Sequence, residues 1–241
     1  MFWNIVRSEW LKFRKSNIWL LLFVSPALAF LLGILQGYED SPVQWITLYT
    51  TMISIHALLF MPLLTGIFSA FVCRYEHQGG GWKQLLALPV SRAQVFLGKG
   101  FLVILFLAIT QLLFFISFYS IGLIKGFSSS FPTEIVWRGI LGGLLACLPL
   151  AALQLWISSA WASFAAPLAL NVILTLPNIL VANSAKYGPW YPWAQPFLIM
   201  IPKEGDIGSL YVSTETLLYV ILGSFIIFLF CGFTYFQKKA V

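Results

Sequence analysis

Residues 74–92 have the sequence RYEHQGGGWKQLLALPVSR, a stretch that interrupts an otherwise apolar chain. Its three consecutive glycines have high backbone freedom, so the preceding helix is expected to end there. The next segment, Trp82–Leu88, contains mostly good helix formers, and Pro89 then stops it. Ser91, followed three residues later by Gln94, has capping-box spacing and predicts the start of another helix. The stretch therefore predicts a short, leucine-rich helix between two long apolar helices.

The composition identifies the environment of these helices. Apolar residues make up 60% of the 241-residue chain and charged residues only 9%. Soluble globular proteins carry charge on about a quarter of their residues, so this chain is predicted to be an integral membrane protein. Its net charge of +6 does not indicate nucleic-acid binding, because the basic residues are placed around the apolar runs. The three cysteines lie in apolar runs without metal-site spacing, so we interpret them as small apolar side chains.

Six apolar runs are long enough to cross a bilayer, which takes about 20 residues. They are Ile18–Gly37, Trp45–Val72, Val95–Ile124, Ile135–Ser163, Pro167–Ala185 and Leu217–Phe236. The third and fourth exceed the required length and are expected to tilt or to extend beyond the lipid. We therefore predict an all-α membrane protein with six transmembrane helices in a single domain over residues 1–241.

The charged residues predict the orientation of these spans. Ten basic residues fall on one side: Arg7, Lys12, Arg14, Lys15, Arg74, Lys83, Arg92, Lys99, Lys238 and Lys239. Four fall on the other: Lys125, Arg138, Lys186 and Lys203. By the positive-inside rule, both termini are predicted to be cytoplasmic. A cleavable signal peptide ending near Ala29 is the competing interpretation, but the apolar run continues to Leu35, which favours an uncleaved span.

Residues 1–16 predict a separate interfacial helix. One of its faces carries Trp3, Val6, Trp10 and Phe13, and the other carries Asn4, Ser8, Lys12 and Lys15. An aromatic face flanked by Arg7 and Arg14 is typical of a helix lying in the membrane interface, with its basic side toward anionic lipid. Alternatively, the basic residues only set the topology, and the two interpretations are compatible.

The predicted helix in the loop of residues 74–92 has two possible roles. A short helix on the cytoplasmic surface can transmit the movement of a soluble partner to the spans on either side. The alternative is an interfacial loop whose lysine reaches toward water. Residue spacing alone leaves both interpretations open.

A family resemblance favours the first of these roles, the docking of a soluble partner. Part of the pattern follows ABC export permeases of the type-2 superfamily after their second span: Glu76, Gly80, Trp82, Gln84, Leu85, Leu86, Leu88, Pro89, Ser91, Arg92 and Lys99. The chain resembles most the small permeases of lantibiotic-immunity and bacitracin-resistance exporters, which also open with a Ser-Glu-x-x-Lys element, here Ser8 to Lys12. Gly81 stands where a polar or small residue is more usual, which predicts a looser helix.

The resemblance implies a non-catalytic permease subunit in a bacterial plasma membrane, dimerised with an identical or related permease chain. A separate ATPase subunit, which binds ATP and Mg, would dock on the cytoplasmic coupling helix, and this chain would hold no cofactor. Consistently, Gly98-Lys99-Gly100 lacks the earlier glycine and the hydroxyl residue of a phosphate loop. The implied coupling residues are Glu76, Gly80, Trp82, Leu85, Leu86, Pro89 and Arg92, and those of the interfacial helix are Glu9, Trp10 and Phe13. Trp82 and Leu85 are expected to fill a pocket on the ATPase.

Polar residues within the spans and aromatic residues in the predicted outer loop, 186–214, suggest a substrate path. Its candidates are His56, Gln154, Asn171, Trp190 and Trp193. The alternatives are hydrogen bonding between helices for the polar group and an aromatic belt with re-entrant pieces for the loop. No metal site is expected.

The sequence thus leads to an expected function, the export of an antimicrobial peptide of lantibiotic type or a similar amphipathic compound, which gives immunity or resistance. Export of a different drug or of a lipid is the first alternative. A membrane enzyme is the second, but it needs clustered acidic and His residues or a Ser–His pair, and the spans offer only His56.

Overall fold

A computed structural model describes residues 2–14, 16–38, 42–77, 81–87, 89–202 and 213–239. Throughout these ranges the regular structure is helical, which confirms the predicted all-α class. The helices are α1 Phe2–Phe13, α2 Ile18–Leu35, α3 Gln44–Ile55, α4 Met61–Arg74, α5 Gly81–Ala87, α6 Arg92–Lys125, α7 Thr133–Ala146, α8 Leu148–Ala160, α9 Ala165–Thr175, α10 Asn178–Val181, α11 Gln195–Met200 and α12 Thr214–Lys238.

Five helical stretches of the described chain are long and apolar enough to cross a membrane. They are Ile18–Leu35, Gln44–His77, Arg92–Lys125, Thr133–Ala160 and Thr214–Lys238. The remaining predicted span, Pro167–Ala185, is instead the shorter pair α9 and α10, which separate at Pro177. Proline has no N–H and its ring clashes with the carbonyl four residues earlier, so it breaks the helix there. A sixth crossing by this pair stays a prediction.

The second crossing is interrupted near its middle. A π-helical turn, His56–Phe60, joins α3 to α4, and a 3-10 turn, Tyr75–His77, follows α4. Because Pro62 has no N–H, the Leu58 carbonyl loses its usual helical donor. The Asn178 amide donates to that carbonyl at 2.6 Å. The irregular turn thereby fastens α10 to the centre of the bundle.

Helix α6 is central, since α1, α2 and α4 all pack against it, while α8 lies between α4 and α12. Helices α8 and α12 approach closely at Gly232, where an added Cβ would lie 2.9 Å from the Trp156 Cβ. The buried apolar residues form two clusters, one around Phe68 and Phe106 and one around Tyr49 and Phe118.

The outer surface of the bundle is strongly apolar. Helix α12 exposes the large side chains Tyr219, Leu222, Ile226, Ile227 and Phe230. Helix α2 exposes a similar row that includes Phe23, Leu31 and Leu35. Such contiguous apolar surface fits a protein surrounded by lipid.

One end of the bundle collects basic side chains. The Arg92 guanidinium donates to the carbonyls of Gln237 and Lys239 at 2.9 and 2.7 Å, so the start of α6 meets the end of α12. The Lys12 ammonium reaches Glu76, which brings the end of α1 to the same place. We call this the basic end. The first and last helices both finish there.

Part of the predicted outer loop, 186–214, is folded into the bundle. Trp193, Ala194 and Gln195 are buried, and α11 packs against α7. An added Cβ at Gly143 of α7 would lie 2.5 Å from the Met200 sulfur, so this glycine permits the contact. Residues 203–212 lie outside the described part of the chain.

Candidate coupling site

Four charged side chains from three elements meet beside the loop of residues 74–92, which we call the coupling loop after its predicted role. The Lys12 ammonium lies 2.5 Å from one carboxylate oxygen of Glu9 and 2.5 Å from one of Glu76. The Lys99 ammonium lies 2.8 Å from the other oxygen of Glu9 and 2.9 Å from the other oxygen of Glu76. Each carboxylate therefore bridges both lysines. We call Glu9, Lys12, Glu76 and Lys99 the ion cluster.

The ion cluster is almost completely enclosed by protein. The Glu9 and Lys99 side chains are each 1% exposed, whereas that of Lys12 is 29% exposed at the rim. Lys99 also donates to the Val72 carbonyl near the end of α4. The formal charges of the four groups sum to zero, which is the condition under which ionised groups are tolerated away from water.

The arrangement fixes position more than it adds stability. Buried ion pairs often contribute little net stability, because desolvation offsets their attraction, but removing one partner costs about 3–5 kcal/mol. Glu9 comes from α1, Glu76 from the turn after α4, and Lys99 from α6. The ion cluster therefore holds α1 and the beginning of the coupling loop at one place on α6.

Trp82 packs inside this chain. The residue is only 6% exposed, and its ring lies 5.3 Å from the Phe236 ring. The Lys239 ammonium lies over the indole at 4.6 Å from its centroid, and the Lys99 ammonium lies 5.6 Å away. The indole N–H donates to His77 Nδ1 at 3.3 Å. In this structure Trp82 connects α5 to α12 and to the ion cluster, and the pocket expected for it on the ATPase stays a prediction.

Among the α5 side chains that the structure describes, the exposed ones are not leucines. Lys83, Gln84 and Ala87 are exposed, whereas Leu85 is half-buried against the apolar cluster around Phe106. The anchoring role expected for Leu85 is thus reduced to its exposed part. Of the other predicted coupling residues, Gly80 lies outside the described residues, and Leu86 lies within α5.

Close packing against the preceding turn explains why residue 81 is a glycine. A Cβ at this position would lie 2.8 Å from the Glu76 Cα and 2.9 Å from the Tyr75 carbonyl oxygen. Backbone atoms cannot give way as a flexible side chain can, so only glycine allows α5 to approach the turn this closely. Glycine at this position thus permits a close approach, and the expected loosening of the helix stays a prediction.

The remaining predicted coupling residues mark the exit from the loop. Pro89 is exposed after the end of α5, and the Ser91 hydroxyl caps α6 by accepting from the Gln94 N–H at 3.2 Å. This confirms the predicted start of the helix. Arg92, the first residue of α6, binds the last carbonyls of α12. A cation at that position also interacts favourably with the dipole of α12.

Two more side chains cap the end of α8. His77 Nε2 lies 2.6 Å from the Ser158 carbonyl, and the Lys239 ammonium donates to the Ser159 carbonyl at 2.6 Å. Partial burial disfavours the charged form of Lys239 and lowers the pKa of its ammonium below the ordinary value. The ends of α8 and α12 are thus tied to the coupling loop.

The N-terminal helix is present as predicted, but its faces are used differently. Val6 and Phe13 are buried and Trp10 is half-buried, all against the protein rather than against lipid. Trp3, placed on the same face by the sequence, is 67% exposed. Lys12, assigned to the solvated face, belongs to the ion cluster. The sequence pattern cannot tell a protein-facing apolar stripe from a lipid-facing one.

Among the predicted substrate-path residues, His56 is completely buried in a network of its own. Its Nδ1 lies 2.7 Å from the Ser25 hydroxyl, and its Nε2 lies 3.0 Å from the Gln111 carbonyl oxygen. The Gln111 amide donates to the Ile140 carbonyl, which orients it so that Nε2 donates and Nδ1 accepts. The network joins α2, α6, α7 and the π turn.

Three other candidates meet directly. The Asn171 side-chain oxygen accepts from the Gln154 amide at 3.0 Å and from the Trp193 indole at 2.9 Å. The Asn171 amide donates to the carbonyls of Pro62 and Leu63 at 3.1 and 3.2 Å. Gln154, Asn171 and Trp193 are all buried, so they connect helices in this conformation.

Trp190 is separate from this group. It is 72% exposed, at the end of the short 3-10 turn Gly188–Trp190. The structure therefore brings together three of the five predicted path residues and leaves His56 and Trp190 apart. That these residues line a substrate path stays a prediction.

No grouping of three or more His, Cys, Asp or Glu side chains in the described ranges is placed to hold a metal ion. Cys73 and Cys147 are buried and Cys231 is half-buried, all as free thiols.

Sequence reasoning missed residues that matter to this geometry. The sequence places Lys99 in the resembled motif and Lys12 in the Ser-Glu-x-x-Lys element, and counts both as topology signals, but it pairs neither of them with Glu9 or Glu76. Asn178, which holds the irregular turn at Leu58, was not singled out at all. A polar residue directly after Pro177, inside an apolar run, is the signal that points to it.

Known proteins are similar to this chain over most of the residues described above. Residues 5–178 match a family described as ABC-2 family transporter protein. The bacitracin transport permease protein BCRB of Bacillus licheniformis is 22% identical over 166 residues, which cover 67% of this chain and 78% of that protein. The family match includes all four residues of the ion cluster.

Proposed function

Because this chain belongs to the ABC-2 family of transporter proteins, we propose that it exports an antimicrobial peptide, of lantibiotic type or a similar amphipathic compound. It is a multi-pass membrane subunit of an ABC transporter. In our proposal a separate ATPase subunit binds ATP and Mg at the basic end, which faces the cytoplasm of a bacterial cell. A second permease chain, identical or related, completes the membrane part.

The observation that carries the proposal is the connection of α5 to the interior. Its outer surface, with Lys83, Gln84 and Ala87, is open to a partner, while Trp82 on its other side touches Phe236 and lies near Lys99. A displacement of α5 by the ATPase would therefore reach α12 and the ion cluster directly. The polar residues His56 and Asn171 would then exchange partners as the spans change their access state.

Two observations favour a peptide substrate. A relative is by name a bacitracin transport permease. In addition, Trp190 and Tyr187 are exposed within the predicted outer loop, where an amphipathic molecule in the outer leaflet would first meet the protein. Trp193 of the same loop donates to Asn171, which also accepts from Gln154, and these three residues form the proposed inner part of the path.

Co-expression with the cognate ATPase subunit tests the coupling. Lys83→Glu reverses a charge on the exposed surface of α5 and should weaken the complex and abolish peptide-stimulated ATP hydrolysis. The matched control, Lys125→Glu, changes an exposed lysine at the opposite end and should have no such effect. The purified chain alone should not hydrolyse ATP. Intrinsic hydrolysis, or a normal complex with Lys83→Glu, would contradict the assignment.

Growth assays separate the substrates. Cells that express the complex should survive a cationic amphipathic peptide at concentrations that inhibit cells carrying the Lys83→Glu variant. Protection against a small drug without protection against the peptide would show that the exported substrate is not a peptide.

A further inference from the structure

A concave surface lies at the basic end, on the side of Lys239 that borders α8 and α12. It is an open cavity of about 770 Å³ between the last turns of α8 and α12. Helix α8 contributes Trp156 and Ala160, and α12 with the residue after it contributes Thr234, Tyr235, Lys238 and Lys239. None of the coupling contacts described above fills this space.

The lining of the cavity suits an anion at a membrane surface. Two ammonium groups and two hydroxyl groups line it, and none of its described lining residues is acidic. The Lys239 ammonium is held in place by the Ser159 carbonyl, which uses one of its three N–H donors. Lys238 is exposed beside it. Trp and Tyr side chains are typical of the membrane–water boundary.

An apolar stripe on α12 runs directly into the cavity. Ile227 is exposed and shares one face of the helix with the lining residues Cys231, Thr234 and Lys238, which follow it at spacings of four, three and four residues. Residues three and four apart share one face of a helix. The surface therefore changes from hydrocarbon to hydroxyl to ammonium along one line.

The dimensions of this line fit within one bilayer leaflet. Ile227 and Lys238 are about 16 Å apart along the helix axis. Half of a hydrocarbon core measures about 15 Å, and a headgroup layer adds about 5–8 Å. Acyl chains that follow the stripe would thus place a headgroup in the cavity.

We propose that this cavity binds the headgroup of an anionic phospholipid whose acyl chains lie along the exposed stripe of α12. Basic pockets between membrane helices are a recognised way to bind such headgroups. An acidic segment of a soluble partner would use the lysines but not the apolar stripe, so the observations favour the lipid. The proposal does not depend on what the protein exports.

Native mass spectrometry of the full chain in detergent tests the site with added phosphatidylglycerol or phosphatidylcholine. The first phosphatidylglycerol should bind more tightly than phosphatidylcholine. Lys238→Gln should weaken it about five-fold, the effect of one surface lysine on an anionic lipid. Ala160→Phe, which fills the cavity and keeps the charge, should weaken it similarly. Lys83→Gln, an exposed lysine on α5, is the matched control and should not change the affinity.

Three outcomes would overturn the proposal. An equal loss with Lys83→Gln would show that the basic end attracts lipid by its overall charge. Unchanged affinity in both Lys238→Gln and Ala160→Phe would show that the lipid binds elsewhere. Unchanged lipid affinity together with a lost ATPase complex in Lys238→Gln would assign the cavity to a protein segment. Unaltered thermal unfolding of each variant establishes that these comparisons report on the site.

Discussion

The Lys99 ammonium lies 2.8 Å from a carboxylate oxygen of Glu9, although the two residues are 90 positions apart in the chain. Exposed ion pairs contribute little because water screens them, but both of these side chains are buried. Their pairing fixes the N-terminal helix against α6, and Glu76 attaches the coupling loop to the same lysine. The N-terminal helix and the loop of residues 74–92 are thereby attached to the same point on α6.

Changing Lys99 tests the ion cluster. Lys99→Met leaves two buried carboxylates against one lysine and should destabilise the chain by about 3–5 kcal/mol. Adding Glu76→Gln restores a balanced pair of Glu9 and Lys12, so the double variant should lose less stability than the sum of the single changes. Unfolding of the purified chain by SDS measures each variant. Additive losses within about 0.5 kcal/mol would mean that the two residues are not coupled.

Trp82 should matter to the isolated chain. Trp82→Ala removes a buried ring that packs on Phe236 and should cost about 3–5 kcal/mol without any partner present. Lys83→Ala, the exposed neighbour, should change stability by less than about 0.5 kcal/mol. Thermal unfolding in detergent compares the two. If Trp82→Ala leaves the isolated chain unchanged and weakens only the ATPase complex, the ring faces the partner after all.

Gly81 should not tolerate a side chain. Gly81→Ala places a Cβ against the backbone of Tyr75 and Glu76 and should displace α5 or cost about 1–3 kcal/mol. Gly223→Ala in α12 is the control, since no atom lies within 4 Å of its added Cβ. This control should be neutral or stabilising by up to about 1 kcal/mol. Stability and binding to the ATPase subunit report the difference, and equal behaviour of both variants would refute the close contact.

The contact between Gly66 and Asn171 predicts a rescue. An added Cβ at residue 66 would lie 2.2 Å from the Asn171 amide nitrogen, so Gly66→Ala should break the hydrogen bonds around Asn171. The loss is expected to be about 1–3 kcal/mol. Asn171→Gly removes both the amide and the Asn171 Cβ, which would lie 2.8 Å from the added Cβ, so the double variant should be more stable than Gly66→Ala alone. A double variant that is less stable would place the strain elsewhere.

Cysteine labelling checks the orientation. A cysteine at exposed Ser130 should react with a membrane-impermeant reagent added to intact cells, and one at exposed Lys83 should react only after the cells are opened. The reason is the excess of Lys and Arg at the basic end. Labelling of the Lys83 position in sealed cells would invert the topology.

The sequence was most informative where hydrophobicity alone decides the structure. Five membrane-length helices and the Ser91 cap follow from local patterns, because apolar length and capping act within a few residues. The direction in which Trp82 points depends on the end of α12, more than 150 residues later, and no local pattern contains it. The same holds for Asn178, whose amide donates to the Leu58 carbonyl, which Pro62 leaves without its helical donor.

The length of helix α6 places the ion cluster relative to the bilayer. From Lys99 to Lys125 it rises about 39 Å, whereas the hydrocarbon core is about 30 Å thick. With Lys125 at the far water boundary, the ion cluster lies about 9 Å outside the acyl chains, at the level of the headgroups. Protein rather than lipid therefore desolvates its charges. The ion pairs of the cluster should therefore be equally stable in bilayers that are several ångströms thicker. The position of α1 against α6 should then not depend on acyl-chain length.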